Sequence, residues 1–138
     1  YRGNGNAMKG VNAGEVDGAI IYHYYYFGDQ AKTGENSNNI GMHYFRNNDP
    51  GAFVSVSGAG VLKSSKKQKE AQAFVKWVAG KGGQDVLKNG DSFEYAVGKG
   101  ADSHPKLEPL AKLQGPKVVP DKFDNKKVTD MMTAAGLL

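Results

Sequence analysis

The sequence predicts an α/β fold, and three observations carry that expectation. Short apolar runs flanked by turn residues stand at 17–22, 40–44 and 52–56, the last two with strand-like alternation. A longer stretch from Ser65 places apolar residues at helical spacing. A second helical pattern follows near the end, at about 125–135. Strands thus alternate with helices, as in α/β architectures.

In chain order, residues 1–6 are rich in Gly and Asn and read as loop. Ala7–Asn12 reads as a short helix, closed by Gly14 in the left-handed conformation that suits glycine. Asp17–Tyr22 reads as a buried strand, and Gly28–Asn39 as a turn-rich exposed segment. Ile40, Met42 and Tyr44 alternate in a second strand. Asn47-Asn48-Asp49-Pro50-Gly51 is a turn signal. Ala52, Val54 and Val56 alternate in a third strand that runs into Gly58 and Gly60. Ser65-Lys66-Lys67-Gln68 fits a capping box, in which the Ser oxygen and the Gln side chain satisfy orphan amides reciprocally. Ala71, Phe74, Val75 and Val78 then form one buried stripe, ended by Gly80. A shorter helix is expected over Gln84–Lys88, and a short strand over Phe93–Val97 within the otherwise irregular 90–106. Leu107–Leu113 suits a helical turn or two, with Pro109 near its start. Gln114–Pro120 is extended. The last helix carries Val128, Met131, Met132 and Ala135 on one face and ends at Gly136.

The 138 residues suffice for one ordinary domain and not for two. Cysteine is absent, which excludes a disulfide scaffold, a zinc ribbon, an iron–sulfur site and a thiol nucleophile. No apolar run approaches the roughly 18–20 residues that span a bilayer. The chain begins with Tyr1 and shows no signal peptide, a start that suits a mature or truncated product. A net charge of +4 permits an acidic partner without requiring one.

Four of the seven tyrosines fall in Tyr22-His23-Tyr24-Tyr25-Tyr26-Phe27. A packed or edge strand accounts for an aromatic run. Strand neighbours point to opposite faces, however, so phenols would lie on both faces and the buried ones would need partners. A strand that ends here, with the chain turning into a loop or helix, lets Tyr24 and Tyr25 converge instead. Two phenolates on one centre suit a hard, highly charged cation, and ferric ion more than calcium or magnesium. His23 is expected to point away, on the face opposite Tyr22 and Tyr24. His43 and His104 lack metal-type spacing. Ser57-Gly58-Ala59-Gly60 lacks the spacing of a phosphate loop. Lys66, Lys69 and Lys76 lie opposite the apolar stripe and read as a solvated face. With Arg2 and Arg46 the only arginines, a nucleic-acid surface is disfavoured.

The run Glu15-Val16-Asp17-Gly18-Ala19-Ile20-Ile21-Tyr22-His23-Tyr24-Tyr25 resembles the site segment of the periplasmic ferric-ion-binding proteins, the transferrin-like receptors of bacterial ABC iron importers. The similarity continues through Asp49-Pro50-Gly51-Ala52, Ser57–Ser65, Glu70–Val75, Phe93-Glu94-Tyr95 and Leu107–Leu113, and so covers nearly the whole chain in order. It implies a type II periplasmic-binding fold, in which two hinged α/β lobes close on a ligand, and it matches the C-terminal portion of such a receptor. By this resemblance residues 1–53 and 106–138 belong to the C-terminal lobe, and residues 54–105 cross the hinge into the N-terminal lobe. Tyr24 and Tyr25 take the places of the paired iron ligands, and Asn4 that of an asparagine contacting a synergistic anion, phosphate or carbonate. A second anion-contacting Asn is replaced here by Tyr22. The family's remaining His or Glu ligands come from the N-terminal lobe, in segments that precede residue 1.

The expected function is therefore a non-enzymatic receptor in the periplasm, or lipid-anchored outside the cytoplasm. It holds Fe(III) with an anion and delivers it to an inner-membrane ABC permease. Its expected partners are the N-terminal half and that permease, with no nucleic acid. A solute receptor of the same fold for another small ligand would show no phenolate-to-iron colour. A basic nucleic-acid-binding domain would show steep salt dependence. A metal-dependent enzyme is the remotest reading, since no motif positions a general base.

Overall fold

The computed structural model describes residues 1–119 and 122–138. Among the described residues six α-helices follow in order: α1 (Asn4–Asn12), α2 (His23–Lys32), α3 (Gln68–Ala79), α4 (Lys81–Asn89), α5 (Leu110–Leu113) and α6 (Asn125–Ala134). A 3₁₀ turn at Pro50–Ala52 stands between α2 and α3.

The helix readings hold with shifted edges. α1 begins at Asn4, earlier than expected, and ends as expected. Gly14 takes φ +74, and the Glu15 N–H reaches back to the Gly10 carbonyl at 2.9 Å. That is the Schellman pattern for which glycine is suited. The capping box at Ser65 does not form. Ser65 Oγ accepts from the Lys67 N–H at 3.2 Å, and the Gln68 side chain donates to the carbonyls of Leu62, Lys63 and Ser65. The Gln amide closes the preceding turn rather than the helix end, so α3 starts at Gln68 itself. In α6, Asp124 caps by accepting the Lys127 N–H at 3.0 Å.

No strand forms among the described residues, which corrects the strands expected at 17–22, 40–44, 52–56 and 93–97. A strand exists only through ladder bonds to a partner, and partners are fixed by topology rather than by local pattern. The local pattern itself is present at 40–46. Ile40, Met42, Tyr44 and Arg46 are half-buried, while Gly41, His43 and Phe45 are exposed. The expected extended stretch at 114–120 ends at Pro120, outside the described residues.

The core is small: Met8, Ala52, Phe93, Ala96, Leu107 and Leu113, with Ser37 and Gln84 as buried polar residues. The accessible surface is 10654 Å². A compact monomer of this mass exposes about 7,000 Å². Large apolar side chains are exposed at Ile20 and Tyr22 as well as along residues 53–62, α3, α4 and α6. The stripe on α3 is not buried, with Phe74 64% and the neighbouring Trp77 53% exposed. α3 and α4 pack closely on one another.

Candidate functional site

The site is organised by the first turn of α2. Tyr22 is its N-terminal flanking residue, in extended conformation with ψ 136. The Tyr25 N–H returns to the Tyr22 carbonyl at 3.2 Å. Tyr24 through Phe27 are therefore helical, and the strand alternative for this run is excluded. On a helix of 3.6 residues per turn, neighbours diverge by about 100° rather than 180°. Tyr24 and Tyr25 can thus face one region together. Their rings lie 4.9 Å apart, tilted by 31°. Tyr22 stacks in parallel on Tyr24, at 5.5 Å and 5°.

Asn4, the first residue of α1, reaches this turn. Its Oδ1 accepts the Tyr22 N–H at 2.9 Å across 18 residues of sequence. This bond ties the start of α1 to the start of α2 and leaves the Asn4 amide N–H groups free to donate. The structure thus gathers Asn4, Tyr24 and Tyr25 around Tyr22.

Two cavities meet at Tyr24. A cleft of about 1550 Å³ is lined by Tyr22, His23, Tyr24, Tyr44, Trp77 and Glu94, among other residues. A smaller one, of about 340 Å³, lies between α1 and α2 and is lined by Tyr24, Tyr25, Lys9, Lys32 and Asp29, among others. Tyr24 borders both, whereas Tyr25 lines the smaller one. Partial burial pushes the Tyr24 phenol above its usual value, and the charges of Tyr25, Glu94 and Tyr22 push in the same direction. These surroundings disfavour ionisation of Tyr24, and a cation beside it would oppose that shift.

His23 does not point away from the run. Its Nε2–H donates to the Phe93 carbonyl at 2.7 Å. Its ring lies 4.9 Å from Tyr95, 5.5 Å from Tyr24 and 6.4 Å from Phe27. Burial pulls the imidazole below its usual pKa, with the Phe93 bond and Glu94 partly opposing. The ring is thus neutral at pH 7, with Nε2 protonated because a carbonyl can only accept. Beyond it, the Tyr95 hydroxyl donates to the Glu108 carbonyl at 2.7 Å, and burial drives its pKa up. Arg46 donates to the Lys112 carbonyl at 2.9 Å and approaches Glu108 at 3.5 Å. The Tyr44 hydroxyl, near Tyr95, is buried without a hydrogen-bond partner among the described residues.

The segment after α2, expected to be exposed, is pinned by Asp29. This carboxylate accepts from the Asn36 N–H, the Asn36 amide and Ser37 Oγ, at 3.1, 2.7 and 2.6 Å. His104 packs edge-on against Phe93, and His43 against Phe45. Among the described residues no three His, Asp or Glu side chains cluster as a metal site. The oxygen donors on the first turn of α2 are the phenols, with Glu94 within electrostatic reach of Tyr24; the Asp29 carboxylate further along α2 is engaged by Asn36 and Ser37. Sequence reasoning assigned Glu94 no role. Its only signal was its place in Phe93-Glu94-Tyr95.

Comparison with known proteins gives the family and the fold of the chain. The family model described as bacterial extracellular solute-binding protein matches residues 1–85. The chain is 61% identical over 138 residues to the Fe(3+)-binding periplasmic protein of Serratia marcescens, covering 100% of this chain and 41% of that protein. It is 36% identical to the major ferric iron-binding protein of Neisseria meningitidis serogroup B, across 99% of this chain and 41% of that one. Iron-bound HitA from Pseudomonas aeruginosa superposes with a TM-score of 0.86 at 41% identity, over 99% of this chain and 44% of HitA. The chain thus spans about two-fifths of the length of these relatives and has the fold of the matching part of a periplasmic binding protein. These relatives are binding proteins rather than enzymes. By the family match over most of its length, and by the agreement of sequence and fold, the chain belongs to the bacterial extracellular solute-binding proteins.

Proposed function

We propose that this chain is the ligand-bearing portion of a ferric-ion receptor, in which Tyr24 and Tyr25 bind Fe(III) as phenolates. The observation that supports it most is the adjacent pair on the first turn of α2, with rings 4.9 Å apart and Tyr24 at the junction of two cavities. The names of the relatives add to this, since the 61%-identical protein is an Fe(3+)-binding one. Tyr24 resists ionisation in the empty protein, and a trivalent cation supplies the stabilisation that its surroundings do not. Two phenolates leave one positive charge uncompensated. A synergistic anion, phosphate or carbonate, supplies the balance, and the Asn4 amide donates to it while its Oδ1 stays on the Tyr22 N–H.

In this reading residues 1–53 and 106–138 form part of the C-terminal lobe, and residues 54–105 cross the hinge into the N-terminal lobe. The N-terminal half of the receptor contributes the remaining ligands. The loaded receptor, periplasmic or lipid-anchored outside the inner membrane, hands iron to an ABC permease.

Titration with Fe(III) in the two-lobed receptor tests this, read as a visible phenolate-to-iron charge-transfer band. Tyr24→Phe and Tyr25→Phe each lose or blue-shift the band and weaken iron by more than the roughly 10–100-fold typical of outer-shell changes. Unchanged affinity in both would refute the assignment. Acidification releases iron, because protons compete for the phenolates. Asn4→Ala reduces the dependence of affinity on phosphate or carbonate. Equal iron binding with and without these anions counts against the anion role.

A further inference from the structure

We infer that His23 is a positioning residue, which sets the direction of Tyr24 and Tyr25 by clamping the first turn of α2 onto the segment 93–95. The inference rests on the reading of the two tyrosines as iron ligands and on the proposed lobe boundaries. The α2 N-terminus has no side-chain cap of its own. Its first helical residue is instead fixed from outside, by the 2.7 Å bond from His23 Nε2 to the Phe93 carbonyl. That carbonyl is a rigid anchor. Phe93 is 2% exposed and its ring packs against Phe27 and His104. It also holds φ +53, a left-handed conformation that strains a residue with a Cβ and persists only where packing enforces it. Tyr95, two residues on, packs on the imidazole and is itself tied to Glu108. The imidazole therefore has one orientation, and the residue that follows it in α2 is Tyr24.

The bond also has a particular place in the proposed architecture. His23 lies in the portion assigned to the C-terminal lobe, and Phe93 in the portion assigned to the N-terminal lobe. A hinge motion that displaces 93–95 pulls on the turn that carries both phenols. The clamp thus links the geometry of the tyrosine pair to the state of the hinge.

Three variants in the two-lobed receptor test the clamp, with Fe(III) in phosphate buffer as the probe and an excess of competing chelator to follow release. His23→Ala removes bond and packing. His23→Phe keeps an aromatic ring against Tyr95 and Phe27 and removes only the donor. His23→Gln retains a side-chain amide donor. The expected result is iron release about 10–100-fold faster, with a shifted charge-transfer band, in the Ala and Phe variants. The Gln variant recovers most of both. A lowered melting temperature with unchanged band and release rate in His23→Phe would make His23 merely structural and overturn the inference, as would a Gln variant no better than Phe. Tyr24→Phe and Tyr25→Phe are run alongside. If they keep colour and affinity, the ligand reading fails and the clamp with it. If they lose both while His23→Phe behaves as the parent, the clamp alone fails.

Discussion

Phe93 and Phe74 are the same side chain in two opposite situations. Phe93 is 2% exposed, whereas Phe74, on the apolar stripe of an amphipathic helix, is 64% exposed. Around Phe93, distant segments are stitched by bonds between side chains and backbone: His23 to Phe93, Tyr95 to Glu108, Arg46 to Lys112, and Gln84 to Gly98. Around Phe74 the α3–α4 pairing is the main helix contact among the described residues, and Phe53, Val56, Leu62 and Val86 are exposed as well. The half that holds Phe93 and α2 is thus the more closed of the two, even with Ile20 91% and Tyr22 53% exposed, while the region at α3 presents an apolar face without a cover among the described residues. Fully burying a side chain of this size is worth about 1.5–3 kcal/mol. Several such residues left in water forfeit a large share of a typical stability of about 5–15 kcal/mol. Of these, Phe53, Val56 and Val86 line one cleft together with Trp77, and apolar side chains exposed together in this way mark a surface meant for another surface. In the proposed receptor that surface is the rest of the N-terminal lobe.

The largest effect that tests this contrast is truncation of the two phenylalanines. Phe93→Ala is expected to cost about 3–5 kcal/mol, the range for a buried aromatic, both in this chain alone and in the two-lobed receptor. Phe74→Ala in the chain alone should stay within about 0.5 kcal/mol, as exposed substitutions do, and should reduce aggregation. In the two-lobed receptor its cost should rise towards that of Phe93. Urea melts of the four proteins decide it. Equal losses in the chain alone would show that the α3 face is covered by the chain itself, as would a sharp two-state melt from its monomer.

What the sequence made legible follows the same division. Features set within one turn or one helix were readable: the Gly14 terminus of α1, the extent of α3 up to Gly80, and the two-residue alternation at Ile40, Met42 and Tyr44. The tyrosine pair is readable as a candidate from residue type and adjacency, and a turn into a loop or helix at this point is one of its two readings; β-type aromatics in a row keep the strand reading open beside it. Features that need a distant partner were not readable. The strands lack ladders among the described residues. His23 finds its acceptor 70 residues away, and nothing in its neighbourhood announces that direction. Ser65 and Gln68 carry the right residue types for a capping box, yet the Gln amide finds three carbonyls in the preceding turn and uses those instead.

An intermediate effect sharpens the contrast within its open half. α3 and α4 are joined through Gly80, and a Cβ at Gly83 would run into the Val78 carbonyl oxygen, a backbone atom. The turn can relieve this only by moving the helices apart. Gly83→Ala is expected to cost about 1–3 kcal/mol, as overpacking does. It should raise amide exchange across 68–89 while leaving α1 and α2 as they were. If exchange rises equally in α1 and α2, the two regions are one cooperative unit and the contrast drawn from Phe93 and Phe74 is too sharp.

The smallest effect belongs to the closed half and is read in acid. The Asp29 carboxyl is pushed upward by partial burial. The hydrogen bonds from Asn36 and Ser37, with the Lys9 charge, outweigh that and hold it below its ordinary value of 3.8. A depressed folded-state pKa means that the unfolded chain takes up the proton first. The contribution of Asp29 is therefore fully present above 3.8 and is lost as the pH falls through the lower folded value. Solvent screening keeps it small. Melting temperatures measured from about pH 5 to pH 3 should fall less steeply in Asp29→Asn than in the parent, because the substituted amide has no proton to gain. The difference should be confined to that acid window, with amide exchange in residues 33–39 rising first in the parent. Parallel acid slopes in the two proteins would mean that the loop after α2 is held by packing of Ser37 and not by the carboxylate, and the closed half would then owe its order to burial alone.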